Sequence, residues 1–283
     1  MRTISTIEVD ANGMSFTADA SPRTGADLVL FLHGFPQTRY AWRAELPVLA
    51  DAGFDVCAPD QRGYSAGARP SDIDDYRMEL IVADVVALAD SLAAPRFHLV
   101  GHDWGGQIAW ITAALHPDRV RSLAVLSRPH PAAFVQALRA DAAQSRRSGH
   151  HQSFLRPEAT DELLADDAAT LRRIYDRSGV PPADADAYLE ILGAWAPLDA
   201  AVNWYRAAGR SSIKAADVAG ASVPTIYVWG DADATVGRSA AEATASMVEG
   251  PYRFVELAGV GHFITDEAPG AVAPLLLEHL GAG

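Results

Sequence analysis

The chain has 283 residues, of which 49% are hydrophobic and 21% are charged, and its formal net charge is −13. These values are typical of a self-sufficient globular protein, and the length fits one α/β domain that carries an insertion. The acidic balance repels nucleic-acid phosphates and anionic lipid surfaces. No signal-peptide pattern and no apolar run of about 18 residues is found. The sequence therefore predicts a cytoplasmic protein with neither a nucleic-acid nor a membrane partner.

The first strand signal is an alternation of polar and apolar residues around Asn12-Gly13, a dipeptide favoured in two-residue hairpin turns. Six short apolar runs follow, separated by helix-length segments such as Met78 to Leu92. This alternation is typical of a parallel sheet that helices cover on both faces. The predicted strands are Leu28 to Leu32, Phe54 to Ala58, Phe97 to Val100, Leu123 to Leu126, Thr225 to Trp229 and Tyr252 to Leu257.

A long middle segment lacks this alternation of strand and helix signals. Between Pro129 and Ala219 the apolar runs give way to helical stretches rich in alanine and acidic residues. The composition is also compatible with a disordered segment around Ala140 to His151. We expect a core formed by residues 1–128 and 220–283, with residues 129–219 inserted as a helical cap.

The most informative motif is Gly101-His102-Asp103-Trp104-Gly105-Gly106, which follows one predicted strand and precedes an apolar helix. Strand, sharp turn and helix form the context of a nucleophile elbow, in which glycines tolerate a strained turn that exposes the central side chain. Asp103 holds the central position, where serine is more common. The alternative interpretation is a turn aspartate that caps the following helix.

Three further loops follow predicted strands. His33-Gly34-Phe35-Pro36 lies where an elbow enzyme takes one oxyanion-hole amide, and the second amide belongs to the residue after the nucleophile. We therefore assign the two amides to Phe35 and Trp104. The segments Trp229 to Asp233 and Gly259 to Phe263 supply an acid and then a histidine. Nucleophile, acid and histidine in this order are typical of the α/β-hydrolase fold.

Together these motifs resemble those of the epoxide hydrolases of the α/β-hydrolase superfamily, over almost the whole chain. The matching segments also include Pro59 to Ser65, Pro129-His130-Pro131 and Asn203-Trp204-Tyr205-Arg206. The resemblance implies a mostly parallel central sheet flanked by helices, with an inserted helical cap. It also implies that Asp103 is the nucleophile, that His262 activates water and that Asp233, rather than Asp231, is the acid. The cap residue Tyr205 would hold the epoxide oxygen.

One cap segment departs from the resembling family. Residues 145–157 are similar to the region that carries the family's first tyrosine, but the spacing to Pro157 puts His150 at that position. We expect the ring of His150 to lie beside Tyr205 as a second hydrogen-bond donor. His151 is the rival, because a shift of one residue exchanges the two.

A carboxylate nucleophile restricts the chemistry. The ordinary pKa of aspartate is about 3.9, so Asp103 is ionised at neutral pH and needs no base before it attacks. Attack on a saturated carbon gives an alkyl ester, which water activated by His262 then hydrolyses. The sequence therefore predicts a small apolar substrate with an electrophilic sp³ carbon, and neither a cofactor nor a metal.

Two alternatives remain open. A dehalogenase would use the same nucleophile, but haloalkane dehalogenases typically have asparagine where this chain has Phe35. Fluoroacetate dehalogenases place arginines where this chain has Trp104 and Gln107. The second alternative is a biosynthetic tailoring enzyme or ligand-binding relative that keeps the fold without hydrolysis. Assays for diol and for halide release separate these functions.

Overall fold

In the computed structural model, which describes residues 2–281, eight strands form a single sheet. The strands are β1 (Ser5–Ala11), β2 (Met14–Ala20), β3 (Leu28–Leu32), β4 (Asp55–Pro59), β5 (Phe97–His102), β6 (Val120–Leu126), β7 (Thr225–Gly230) and β8 (Tyr252–Leu257). Their order across the sheet is β1-β2-β4-β3-β5-β6-β7-β8. β2 pairs antiparallel with both β1 and β4, and all other neighbours are parallel. The predicted, mostly parallel sheet is confirmed.

The hairpin and all six apolar runs appear as strands. Asn12 and Gly13 have φ values of 52° and 74°, as a two-residue turn between twisted strands requires. The bounds of β3 and β8 match the prediction, and those of β4 to β7 differ from it by one to three residues. β3, β4, β5 and β7 are buried along their whole length, which explains their continuous apolar sequences.

Helices connect the parallel strands and cover the sheet. They are α1 (Glu45–Asp51), α2 (Met78–Ser91), α3 (Trp104–Leu115), α10 (Arg238–Ala243), α11 (Ile264–Glu267) and α12 (Pro269–Gly281). α1 packs against α12, and α2 packs against α3. None of the helices within residues 2–281 combines the length and the apolarity that crossing a membrane requires.

Six more helices lie between β6 and β7. They are α4 (Pro131–Ala140), α5 (Ala142–Arg147), α6 (His150–Phe154), α7 (Ala159–Arg177), α8 (Pro182–Leu192) and α9 (Trp195–Ala208). The backbone of α7 leaves the helical conformation at residues 165–168. The suggestion of disorder around Ala140 to His151 is wrong, since α5 and α6 occupy this stretch. The buried Gln144 holds α5 in place, because its side-chain amide bonds the backbone of Thr235 and Gly237.

Ion pairs and hydrogen bonds fix these helices to the sheet domain. Arg43, which follows β3, pairs with Asp184 of α8 at 2.6 Å and with Asp266 of α11 at 2.8 Å. The hydroxyl of Tyr188, also on α8, donates to Asp266 at 2.9 Å. The inserted helices are therefore held over the edge at which the parallel strands end.

Candidate active site

The turn at Asp103 has the strained geometry of a nucleophile elbow. Its φ of 49° and ψ of −117° lie outside the regions that non-glycine residues usually adopt. The turn is so tight that a Cβ at Gly105 would lie 2.1 Å from the carbonyl oxygen of Leu32, and one at Gly101 would lie 2.3 Å from the oxygen of Gly105. Glycine is therefore required on both sides, and the Asp103 carboxylate projects from the end of β5.

Both oxygens of Asp103 have partners that the sequence predicted. The backbone N–H of Phe35 donates to Oδ1 at 3.1 Å, and Nε2 of His262 lies 3.4 Å from Oδ2. Trp104 is the first residue of α3, so its N–H has no partner within the helix. Burial would raise the pKa of Asp103, but the hydrogen bond and charge of His262, with the charge of Arg128, hold this pKa below its ordinary value. The carboxylate is therefore ionised over the physiological range.

The structure brings His262 and Asp233 together. Nδ1 of His262 donates to Oδ2 of Asp233 at 2.8 Å. Oδ1 of Asp233 accepts from the backbone of Thr235 at 2.7 Å and of Val236 at 2.9 Å, and from the Thr235 hydroxyl at 2.8 Å. Asp231 lies on the exposed side of the same turn and accepts from the backbone of Gly259. Asp233, and not Asp231, is therefore the acid in contact with His262.

The charges around His262 determine its protonation. Burial would lower the pKa of His262, but the carboxylates of Asp233 and Asp103 raise it to about 10. The ring is therefore an imidazolium at neutral pH while both carboxylates are ionised. Any change that neutralises Asp103 removes one of the two charges that keep the proton on the ring.

A cavity of about 220 Å³ opens above Asp103. Most of its lining is apolar and includes Phe35, Phe134, Phe154, Ile174, Val236 and Phe263. Asp103, His262 and Tyr205 line the same cavity, so that the predicted nucleophile and the predicted phenol donor face one space. A small molecule bound there would contact mostly apolar side chains.

Tyr205, on α9, is surrounded by aromatic rings. Its ring centre lies 5.0 Å from that of Trp104, 5.4 Å from that of Phe35 and 4.7 Å from that of Phe154. Burial and the nearby charge of Asp103 raise the pKa of the Tyr205 phenol well above its ordinary value. The hydroxyl therefore keeps its proton and can act as a donor toward the cavity.

The ring beside Tyr205 belongs to His151 and not to His150, which corrects the position inferred from spacing. The ring centres of His151 and Tyr205 are 5.4 Å apart. α6 begins at His150, whose Nδ1 donates to the backbone oxygen of Arg147 and whose ring packs on His151 and Phe154. This bond turns the His150 ring toward the preceding turn. Both histidines line the cavity, but only His151 packs directly on the phenol.

Comparison with known proteins decides the family. A family model for the alpha/beta hydrolase fold matches residues 27–269. The chain belongs to the α/β-hydrolase family. Epoxide hydrolase A of Mycobacterium tuberculosis is 35% identical, with 96% of each chain covered. AB hydrolase superfamily protein YfhM of Bacillus subtilis is 32% identical, again with 96% of each covered.

A solved structure supports the same assignment. The crystal structure of epoxide hydrolase A from Mycobacterium thermoresistibile has a TM-score of 0.84 and 29% sequence identity, and the match covers 99% of this chain and 98% of the other. The protein is thus an epoxide hydrolase-like α/β hydrolase. The fold and the enzyme class predicted from its motifs are confirmed.

Two polar residues of this α/β hydrolase's site were missed by sequence reasoning. Thr235 lies 2.8 Å from Nδ1 of His262 and also donates to Asp233. Its position two residues after an acid in a turn was the available signal. Arg128 lines the cavity next to Asp103 and immediately precedes the Pro129-His130-Pro131 motif. Nothing in the spacing of that motif indicates that the arginine points inward.

Proposed function

We propose that this α/β hydrolase opens epoxides to vicinal diols through a covalent ester on Asp103. The observation that carries the proposal is the environment of the Asp103 carboxylate. One oxygen accepts from the Phe35 amide, the other faces His262, and a protonated phenol, Tyr205, lines the same cavity. Relatives over the full length of the chain are named epoxide hydrolases, which agrees with this chemistry.

In the first step an oxygen of Asp103 attacks an epoxide carbon, and the bond from that carbon to the epoxide oxygen breaks. The alkoxide receives a proton from Tyr205, while a hydrogen bond from His151 stabilises the same oxygen. Asp103 needs no activation, since it is already ionised. The product of this step is an uncharged alkyl ester of Asp103.

In the second step water attacks the ester carbonyl carbon, and His262 takes the water proton. Esterification has removed the charge of Asp103, so the pKa of His262 falls from about 10, and the ring releases its proton to solvent and becomes a neutral base. The amides of Phe35 and Trp104 stabilise the oxyanion. The diol leaves with the proton from His262, the proton of the new Asp103 carboxyl restores Tyr205, and His262 takes up a proton from solvent to regain its imidazolium form. The balance is one epoxide and one water for one diol.

Within this proposal residues 129–219 act as the cap, and residues 1–128 and 220–283 supply the core. The cap contributes Tyr205 and His151, and the core contributes Asp103 and His262. A site divided in this way excludes water when the two parts are in contact, which protects the ester until His262 activates one water molecule.

A panel of epoxides and haloalkanes tests the function. We expect diol formation from epoxides and little halide release, because the cavity offers a proton donor and Phe35 replaces the asparagine of haloalkane dehalogenases. A single turnover in water labelled with heavy oxygen should place the label in Asp103. Label found only in the diol would mean that water attacks the epoxide directly. Halide release without diol would favour the dehalogenase.

For Tyr205→Phe we expect the alkylation rate to fall by about 100-fold or more, since positioned proton donors contribute on the order of 10² to 10⁴. Rapid-quench measurement of ester formation checks this. Tyr252→Phe is the matched control, because Tyr252 lies on β8 and its buried hydroxyl has no hydrogen-bond partner in residues 2–281. A Tyr205 variant that loses thermal stability but keeps its alkylation rate would mean that this tyrosine only packs.

For the two histidines we expect His151→Phe to slow alkylation about tenfold, the effect of losing one hydrogen bond, and His150→Phe to slow it less. Burial and the charge of Arg128 lower the pKa of His151 to about 3, so the ring donates as neutral imidazole. Alkylation should then show no step in its pH profile near pH 6.5, the ordinary histidine value. A larger effect of His150→Phe would return the role to His150.

A further inference from the structure

Arg128 is a buried cation that the mechanism above does not use. It follows β6, and its side chain lines the cavity that contains Asp103. Only 8% of the residue is exposed. Removing a guanidinium from water is costly unless the protein or a ligand supplies compensating contacts.

An ion pair would compensate for this cost, but the described part of the chain forms none with Arg128. Within residues 2–281 no salt bridge to Arg128 is found; its Nη2 donates to the neutral amide oxygen of Gln107, and its buried Nε has no partner. The other buried arginine in this part of the chain, Arg62, has a carboxylate partner. Its Nε and Nη2 each donate to one oxygen of Asp84 at 2.7 Å. The protein thus pairs one buried guanidinium directly with an acid, whereas the other interacts with the charge of Asp103 but forms no ion pair with it.

Aromatic rings hold the guanidinium of Arg128 in place. Its central carbon lies 4.4 Å from the ring centre of Phe134 and 5.9 Å from that of Trp104. These contacts stabilise the cation and keep water from its faces. A charged hydrogen bond made in such a site is stronger than one made in water.

The charge of the cavity is opposite in sign to that of the molecule. The formal net charge is −13, but the described lining contains two arginines, Arg128 and Arg177, and a single carboxylate, Asp103. The carboxylates of Asp103 and Asp233 balance the cations of His262 and Arg128 before the reaction, and Arg177 leaves one positive charge in excess. Esterification of Asp103 removes its negative charge and leaves that charge on the Tyr205 phenolate, so the net charge of the site does not change.

We propose that Arg128 binds a carboxylate of the substrate, so that the enzyme acts on epoxides that carry an anionic group at one end and are apolar elsewhere. This inference rests on the proposed function and narrows the apolar substrate expected from the sequence. Because alkylation leaves the net charge of the site unchanged, Arg128 acts by binding and orienting the substrate carboxylate, which raises kcat/KM.

Matched pairs of substrates test the inference in the wild-type enzyme. The probes are glycidate and its homologues with one and two further methylene groups, each compared with its primary amide. We expect at least one acid to exceed its amide about 10- to 100-fold in kcat/KM, the effect of a charged hydrogen bond. Equal values for every acid and amide would overturn the inference while leaving epoxide hydrolysis in place.

Two variants assign the preference to its residue. Arg128→Met should bring the ratio of acid to amide close to one. Arg139→Met removes the same charge from an exposed position on α4 and should keep the wild-type ratio. A preference for acids that survives in Arg128→Met with normal thermal unfolding would contradict the role of Arg128. The wild-type comparison decides the question even if that variant does not fold.

A binding measurement is independent of turnover. Calorimetric titration with hydrocinnamate and with its amide should give at least about tenfold tighter binding of the acid to wild type, and this difference should disappear in Arg128→Met. If the acid binds in this way but no epoxide gives diol, the proposed function fails and the anion site stands. If amides and acids react and bind alike, the anion site fails and the function stands.

Discussion

His262→Gln should stop turnover and leave the enzyme covalently loaded. Glutamine cannot take a proton from water, so ester hydrolysis should fall by at least about a thousand-fold, as in other triads that lose their histidine. Alkylation does not require that base, because the attacking group is a carboxylate, and the charge of Arg128 lowers the pKa of Asp103 even when His262 is lost. Intact-protein mass spectrometry after mixing with an epoxide should therefore show one added substrate mass.

The controls for this experiment separate the nucleophile from the base. His262→Gln combined with Asp103→Asn should show no adduct, because the attacking carboxylate is gone. His116→Gln, at the opposite end of α3 from Asp103, should turn over normally without a persistent adduct. Peptide mapping should place the added mass on Asp103. An unloaded His262 variant that still binds substrate would exclude the two-step mechanism.

The order of the elements followed from the sequence more reliably than their ends. Continuous apolar runs identify buried parallel strands, and a positive-φ dipeptide identifies the hairpin. The end of β5 was placed too early because Gly101-His102 reads as part of a turn, whereas both residues continue the strand. The start of β6 was placed too late because Arg121 and Ser122 interrupt the apolar pattern. Pairing with neighbouring strands overrides both local signals.

The candidate site was readable where its residues follow strands, because neighbouring parallel strands end along one edge of a sheet. Asp103, Asp233 and His262 were predicted in this way, and their side chains lie together in the structure. The helices between β6 and β7 offer no comparable rule for predicting which side chains face the site. A helix turns by about 100° per residue, so a one-residue shift in α6 exchanges His150 and His151 at the phenol. Arg128 was missed because an arginine after a strand is usually exposed, whereas here the rings of Phe134 and Trp104 and a hydrogen bond to Gln107 hold it inward.

Asp233→Asn should reduce the rate of ester hydrolysis by about 10⁴-fold, the cost of losing the orienting carboxylate in a serine triad. The amide would present an N–H₂ group to Nδ1 of His262, which favours the tautomer whose Nε2 carries the proton and cannot act as a base. Alkylation should change much less. Rapid-quench measurement of ester decay during one turnover checks the expectation.

The pH dependence of this variant distinguishes loss of a charge from loss of structure. Hydrolysis requires neutral His262, so its rate rises with pH through the pKa of that ring in the ester. Asp233 raises this pKa, which is about 10 in the free enzyme. Asp233→Asn should therefore move the rise to lower pH and reduce the plateau. Asp231→Asn removes a carboxylate from the exposed side of the same turn, where it accepts from the backbone of Gly259, and should shift neither the pH profile nor the plateau. If Asp231→Asn abolished ester hydrolysis and Asp233→Asn had a small effect, the role would belong to Asp231. If Asp233→Asn lowered the plateau of the hydrolysis rate without shifting its pH profile, Asp233 would only support the turn.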